Sequence, residues 1–275
     1  MTAILYVVAT PIGNLADASP RSIEVLRCAD IVACEDTRRT ATLLSHFGIS
    51  VRTVALHEHN ERASARELVR LMQEGKTIAL VSDAGTPALA DPGAWLVAET
   101  HRAGIAVRPI PGPSAAAAAF SAAGFAASRF LFAGFLPSQA GGRRKALDAL
   151  DLPWPVVLYE APHRMAETLA DLVARYGPER EIAIGRELTK KFEEFVRLPL
   201  GQAEAWLAAR SERQQGEFVL VLAPGEERPA QTADAQRVLE VLLETMAPSE
   251  AAKLAARITG LPKNVLYKKA LQRAK

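Results

Sequence analysis

The sequence predicts an α/β protein with a parallel α/β unit, a mixed α/β unit and a helical extension, in that order. Three observations predict this. Over residues 1–114 short apolar runs alternate with helix-patterned segments, as in consecutive βαβ units. Over 115–225 the runs continue in a less regular order, so a mixed sheet with antiparallel members is expected. After Pro224 the composition changes, Gly225–Ala230 reads as a linker, and residues 226–275 carry helical patterns only.

The elements follow in turn. Ile4–Ala9 is a buried strand ending at Thr10–Asn14, TPIGN. Pro20–Cys28 is a helix with Ser19 as N-cap and proline in its first position. Ile31–Cys34 is a strand ending at EDTRR, Thr40–Phe47 a helix stopped by Gly48, and Val51–Leu56 a strand ending at HEHN. Glu61–Glu74 is a helix closed by Gly75, Ile78–Val81 a strand running into SDAGTP, and a helix lies near Asp91–Ala103. Ala106–Ile110 is a strand ending at PGPS, with a small-residue helix behind it. In the second unit, strands are expected at Arg129–Ala133, Val156–Tyr159, Glu181–Gly185, Glu194–Leu198 and Phe218–Leu222. Helices are expected at Met165–Tyr176 and around Ala203–Arg210, and Gly141–Lys145 reads as a flexible basic stretch. Thr232–Thr245, Ser249–Thr259 and Lys263–Arg273 are the helices of the extension, the last two flanking Gly260-Leu261-Pro262 in the manner of a helix-turn-helix.

Composition narrows the function. A chain of 275 residues, 49% hydrophobic and 23% charged, is ordinary for a globular protein of about two domains. A net charge of +2 gives no global field, so any nucleic-acid surface is local. One is present: residues 249–275 hold seven Lys/Arg against Glu250 alone. A solvated basic tail is the alternative reading. Cys28 and Cys34 form no metal pattern and read as buried, reduced thiols of a cytoplasmic protein. MTAILYVVATPIGN has no basic n-region, and no stretch approaches the roughly 18 apolar residues that span a bilayer, so neither a signal peptide nor a membrane partner is expected.

TPIGN, EDTRR, HEHN, SDAGTP and PGPS each directly follow a strand, so a parallel sheet gathers them on its carboxyl edge, where open α/β folds bind ligands. SDAGTP is the richest, with Gly85 permitting close backbone approach and Asp83 either facing a ligand or capping a helix. There is no GxxxxGK[ST], no GxGxxG after the first strand and no GxSxG around Ser114. His57 and His59 lack a second ligand cluster, and no metal is expected. PGPS reads as a turn feeding a helix N-terminus, whose N–H groups suit an anionic ligand group. Backbone, small residues and scattered charges suit a reaction whose hard chemistry lies in the cofactor, and methyl transfer from S-adenosylmethionine is permitted.

The motifs LYVVATPIGNLAD, EDTRRT, LHEHNE, ALVSDAGTPALADPG, PIPGPSAA, GFLP, YEAPHR, RELTK and ARITGLPKNVLYK run along nearly the whole chain. Together they resemble the tetrapyrrole methylase superfamily of S-adenosylmethionine-dependent enzymes, and within it the branch that modifies ribosomal RNA. The resemblance implies two α/β domains, 1–114 and 115–225, with the cofactor in the cleft between them, and a basic extension, 226–275. It implies 2′-O-methylation of a cytidine ribose in the decoding region of 16S rRNA, within the small ribosomal subunit, by a homodimer. It places Pro11, Asp83, Gly85, Ser114 and Ala115 at the cofactor, with Tyr159, Glu160 and Leu188 from the second domain. SDAGTP stands where the superfamily usually has a GDP-type signature, which argues against a porphyrin-like substrate.

A ribose hydroxyl needs a proton acceptor, and Glu187 or Lys190 of RELTK is the candidate, with Arg38 holding a neighbouring phosphate. The alternatives are an ion pair at a strand end for Glu187 and a helix-face charge for Arg38. Arg143, Arg144, Lys145, Lys190, Lys191, Lys263, Lys268 and Lys269 are the expected RNA contacts, and His163 either stacks in the cleft or caps a helix. Glu35-Asp36 is an acid/base pair or, more simply, carries the N-cap at Asp36. Two other functions stay open: a small-molecule methyltransferase on a tetrapyrrole-type ring, and a non-enzymatic nucleic-acid-binding protein.

Overall fold

The computed structural model describes residues 3–225 and 230–273, and the side chains of all of these except 230–234 and 272–273. Met1–Pro224 form one compact unit and Gly225–Lys275 a second.

The first half of the larger unit runs β1 (Ile4–Val8), α1 (Pro20–Cys28), β2 (Ile31–Cys34), α2 (Thr37–His46), β3 (Arg52–Ala55), α3 (Glu61–Gln73), β4 (Ile78–Leu80), α4 (Ala94–Arg102) and β5 (Ala106–Ile110). The strands form one parallel sheet in the order β3-β2-β4-β1-β5. Its central runs are apolar without alternation because both faces are covered. Leu5, Ile31, Ala33, Ile78 and Leu80 pack on one side, and Val8, Val32, Cys34, Ala79 and Val81 on the other. The Ser19 hydroxyl caps α1 by accepting the Ser22 N–H at 3.0 Å. α2 begins three residues before the expected Thr40, because the Asp36 carboxylate accepts the N–H of Arg38 at 2.8 Å and so serves as its N-cap. β1 and β4 are neighbours, and beyond their carboxyl ends Thr10 and Gly85 exchange backbone hydrogen bonds of 2.8 and 3.1 Å.

The second half runs α5 (Ala115–Ala123), β6 (Leu131–Phe135), α6 (Ala140–Ala149), β7 (Val156–Glu160), α7 (Met165–Tyr176), β8 (Glu181–Arg186), β9 (Glu194–Pro199), α8 (Leu200–Ala208) and β10 (Phe218–Leu222). Its sheet is mixed, in the order β6-β7-β10-β8-β9, with β6 and β7 parallel and the other pairs antiparallel. Ala116, Ala119 and Ala123 of α5 pack on one face, against Val157, Ala183, Val219 and Val221. Leu147, Leu169, Leu172, Ala203 and Leu207, from α6, α7 and α8, cover the other. Small residues let α5 lie close to the sheet, which assigns it to this half of the chain.

Four expectations are corrected here. Gly141–Lys145 is not a flexible stretch but part of α6, and Arg143 is no surface cation. Its side chain is 2% exposed, with Nε 2.7 Å from Asp171 and Nη2 3.1 Å from Glu167 of α7. Burial pushes Asp171 up, but hydrogen bonds from Arg144 and Arg143 outweigh it and hold the carboxyl below its usual range. The strand expected at Arg129–Ala133 lies two residues later. Cys34 is buried as expected, but Cys28 is exposed.

In the smaller unit α9 (Ala230–Leu243), α10 (Pro248–Thr259) and α11 (Lys263–Arg273) enclose Leu239, Ala251, Ala252, Ala255, Leu266 and Ala270. Gly260, at φ +75°, ends α10 in the left-handed conformation. Ile258, Val265 and Leu271, apolar positions of α10 and α11, lie outside this core at 61%, 42% and 45% exposure. The expected linker falls mainly on 226–229, outside the described residues. No described helix is long and apolar enough to cross a membrane.

Candidate active site

Four of the five turns on the carboxyl edge of the parallel sheet contribute to two adjoining hollows. The fifth does not: Asn60 of HEHN accepts the His57 N–H at 2.8 Å and donates to Ala55 at 3.1 Å, so that turn closes its own strand.

The first hollow, about 300 Å³, is lined from both halves of the larger unit. The parallel half supplies Ile12, Ala84–Thr86 and Leu89–Asp91. The second half supplies Ser114 and Ala115 at the start of α5, Phe135 of β6, Tyr159–Pro162 at the end of β7, Leu188 after β8 and Gly216–Val219 at the start of β10. Gly85 holds φ +84°, which admits the sharp turn beside Ile12. The Ser114 hydroxyl caps α5, leaving that helix's first N–H groups at the hollow's edge. The Thr86 hydroxyl donates to the Pro113 carbonyl at 3.0 Å and ties the turns after β4 and β5 together.

The second hollow, about 330 Å³, shares Ile12, Ala84 and Glu217 with the first. It is lined by Pro11, Gly13 and Leu15, by Arg39, Thr42, Leu43 and His46 of α2, and by Asp83 and Lys190. Lys190 reaches it from the loop after β8, which crosses to the turn after β1. The Thr189 hydroxyl accepts the Asn14 N–H at 3.1 Å, and a Cβ on Gly13 would stand 2.9 Å from that hydroxyl oxygen, so only glycine allows this approach.

The sequence-derived residues therefore divide. Gly85, Ser114, Ala115, Tyr159, Glu160 and Leu188 line the first hollow, whereas Pro11 and Asp83 line the second. The Asp83 carboxylate takes the Asp36 N–H at 3.0 Å and Arg39 at 3.2 Å, locking the turns after β2 and β4 together. The Glu160 carboxylate is turned inward, 2.6 Å from the Thr168 hydroxyl and 3.2 Å from Arg164 Nε. Lys190 Nζ stands 2.8 Å from Glu187 and 2.9 Å from Glu217. Burial opposes both charges of the Glu187–Lys190 pair, but their hydrogen bonds prevail, holding Glu187 below and Lys190 above their ordinary ranges. The pair thus favours its ionised form, and Glu187 lines neither hollow.

Arg38 is 90% exposed and paired with Asp36, so it is Arg39 that lines the second hollow. Arg144, Lys145 and Lys191 are exposed. His163 is exposed on the short turn Pro162–Arg164, outside both linings. Lys263 and Lys268 are exposed on α11, with Lys269 half-buried.

Sequence reasoning missed Asp91, Phe135 and Gly216–Val219. Asp91 stands in an Asp-Pro-Gly turn eight residues after Asp83, a signal that was available. Burial is the main force on its carboxyl, with repulsion from Glu35 and Asp83 against a hydrogen bond from Ser82, and it is pushed up to about 6. Glu35 is itself raised by burial and by Asp83. Among the described residues, four non-glycine residues hold positive φ: Ala88 (66°), Ala90 (64°), Glu187 (51°) and Thr189 (66°). All four lie in the two loops that wall the hollows, the distribution expected of strain kept at a functional site.

Comparison with known proteins agrees with this architecture. The family profile described as "Tetrapyrrole (Corrin/Porphyrin) Methylases" matches residues 4–204, and one described as "RsmI C-terminal HTH domain" matches 229–274. Ribosomal RNA small subunit methyltransferase I of Pseudomonas aeruginosa is 48% identical, over 98% of this chain and 97% of that protein. Among solved structures, a diphthine synthase superposes with a TM-score of 0.61 at 19% identity, covering 80% of this chain and 90% of the other. A uroporphyrin-III C-methyltransferase from Thermus thermophilus, solved with S-adenosylhomocysteine, superposes with a TM-score of 0.56 at 16% identity, covering 82% and 97%. At these identities the structural likeness shows the fold alone.

Proposed function

Because the chain belongs to the tetrapyrrole methylase family, we propose that it uses S-adenosylmethionine to methylate the 2′-hydroxyl of a cytidine in the decoding region of 16S rRNA. The observation that carries this reading is the charge of the first hollow. Asp91, Glu160 and Glu217 line it, and no Lys, Arg or His does. Such a site suits a ligand carrying a sulfonium and an ammonium, and disfavours one carrying phosphates. The cations Arg39 and Lys190 line the second hollow, which adjoins the first through Ile12, Ala84 and Glu217.

The residues present fit the donor. Gly85, Ser114 and Ala115 offer backbone at close range, and Tyr159, Leu188 and Val219 offer an apolar wall for a flat ring. When bound, S-adenosylmethionine supplies a methyl group already activated by its sulfonium. The chain's own work is to align the acceptor, exclude water and remove a proton. Lys190 and Arg38 position the RNA backbone, joined by Arg144, Lys145 and Lys191 on the surface and by Lys263, Lys268 and Lys269 on α11. Glu187 orients Lys190. The relatives' name points to the small-subunit RNA, the basic smaller unit supports an RNA partner, and a homodimer is the assembly we favour for a cytoplasmic enzyme of this kind.

Two measurements test the proposal. Calorimetric titration with S-adenosylmethionine is expected to show one site in Met1–Pro224, and absence of binding rejects the donor. Transfer of labelled methyl to 30S subunits and to naked 16S rRNA, with mapping of the product, is expected to mark one cytidine ribose. Label on a base, or on no RNA, rejects the acceptor.

A further inference from the structure

The carboxylates of the first hollow are not equivalent. Glu160 is held by Thr168, Arg164 and the Ala161 N–H, and Glu217 by Lys190. Asp91 lies near the Ser82 hydroxyl and has no ion-pair partner among the described residues. The titratable groups that act on it are Glu35 from the turn after β2, Asp83 from the turn after β4 and Tyr159 from β7. Asp83 is shared with Arg39, and none of the three brings a positive charge to Asp91. Ala88 and Ala90, both at positive φ, fix the loop that presents it. Among the described residues, Asp91 is thus the one carboxylate lining this hollow without an ion-pair partner.

We propose that Asp91 accepts the proton of the hydroxyl that is methylated, and that the charge of the donor decides when it does so. The inference rests on the methyl-transfer reading above. Before transfer, a cation in the hollow holds Asp91 ionised and makes it a poor base. The acceptor oxygen then bonds to the methyl carbon, the carbon–sulfur electron pair stays on sulfur, and the hydroxyl proton passes to the Asp91 carboxylate. With the sulfonium charge gone, burial and the negative charges of Glu35 and Asp83 again favour the protonated carboxyl, and it holds the proton until water removes it after product release. Loss of charge on sulfur and gain of basicity at Asp91 are thereby one event.

The test has a binding arm and a kinetic arm. Calorimetry at about pH 6, in buffers of different ionisation enthalpy, is expected to show proton release on binding S-adenosylmethionine and none on binding S-adenosylhomocysteine. Asp91→Asn is expected to abolish that difference. On 30S subunits, Asp91→Asn is expected to lower kcat by about 100-fold or more at saturating donor, with Asp91→Glu recovering part of it. Wild-type kcat/KM is expected to fall below about pH 6, and residual activity of Asp91→Asn to be flat there. Near-wild-type kcat in Asp91→Asn, or unchanged proton release, overturns the inference. A thermal melt separates inactivity from unfolding. If the wild type neither binds the donor nor labels rRNA, the underlying reading fails; if it does both and Asp91→Asn matches it, this inference alone fails.

Discussion

Asp91 shows what a single side chain gives up for a place in the hollow. Burial pushes its carboxyl up to about 6, above the 3.8 of an ordinary aspartate, so the folded chain keeps a proton that the unfolded chain releases between those values. Stability therefore falls as pH rises through that window and stays lower above it. A shift of this size corresponds to about 3 kcal/mol, and water reaching a half-buried group reduces it to about 1–2 kcal/mol. Urea denaturation at neutral pH is expected to show Asp91→Asn more stable than wild type by that amount, with the gain gone below about pH 4. Equal stability at both pH values contradicts the electrostatic account. Lys190 is the converse case, a cation stabilised by two carboxylates. Lys190→Ala is expected to lower kcat/KM on 30S subunits by about tenfold or more, roughly one charged contact, and to leave donor affinity within about twofold. Of the residues in and around the hollows, Gly85, Ser114, Ala115, Tyr159 and Leu188 were legible because they lie in contiguous motifs that carry the family resemblance. Phe218 and Val219 were not, because β10 runs antiparallel to β7 and brings its beginning beside β7's end, with Phe218 opposite Glu160. A rule that reads only the carboxyl ends of strands passes over such residues.

At the scale of elements, α6 and α7 carry the clearest lesson. A Gly-Gly-Arg-Arg-Lys run reads as loose and basic, yet Arg143 is buried against Asp171 and Glu167 and Leu147 lies in the core. Removing Arg143 leaves Asp171, 7% exposed, with Arg144 alone. Arg143→Ala is expected to destabilise the larger unit by about 3–5 kcal/mol, and Arg144→Ala, whose partner remains paired, by less than about 1 kcal/mol. Denaturant midpoints of the two variants check this, and similar losses contradict it. The sequence could not separate the two arginines, since adjacent helical residues differ by only 100° of rotation and nothing local says which faces α7. Caps were more legible: Ser19, Asp36 and Ser114 each hold the first turn of their helix, because a short polar side chain before a helical pattern has few other uses.

For the whole molecule, both hollows belong to Met1–Pro224, whereas the strongest local charge excess belongs to the extension. The two tasks are therefore expected to separate. A chain lacking residues 226–275 is expected to bind S-adenosylmethionine with a Kd within about twofold of the full chain. Its affinity for 16S rRNA should be lower and should fall less steeply with salt, since each cation removed takes with it roughly one released counterion. Identical salt slopes assign the smaller unit to packing or dimerisation and not to RNA.

By itself the sequence determined the alternation of elements, the parallel sheet with its loaded carboxyl edge, the mixed second sheet and the family, because these rest on local periodicity, caps and contiguous motifs. Only the tertiary structure decided which charges are spent and which are free to act. It buried Arg143, paired Glu187 with Lys190, withdrew HEHN from both hollows and left Asp91 lining the first without an ion-pair partner among the described residues. The physical reason is that the reactivity of a charged group depends on burial and on partners distant in the chain. Arg143, for example, meets Glu167 and Asp171 only when α6 packs against α7.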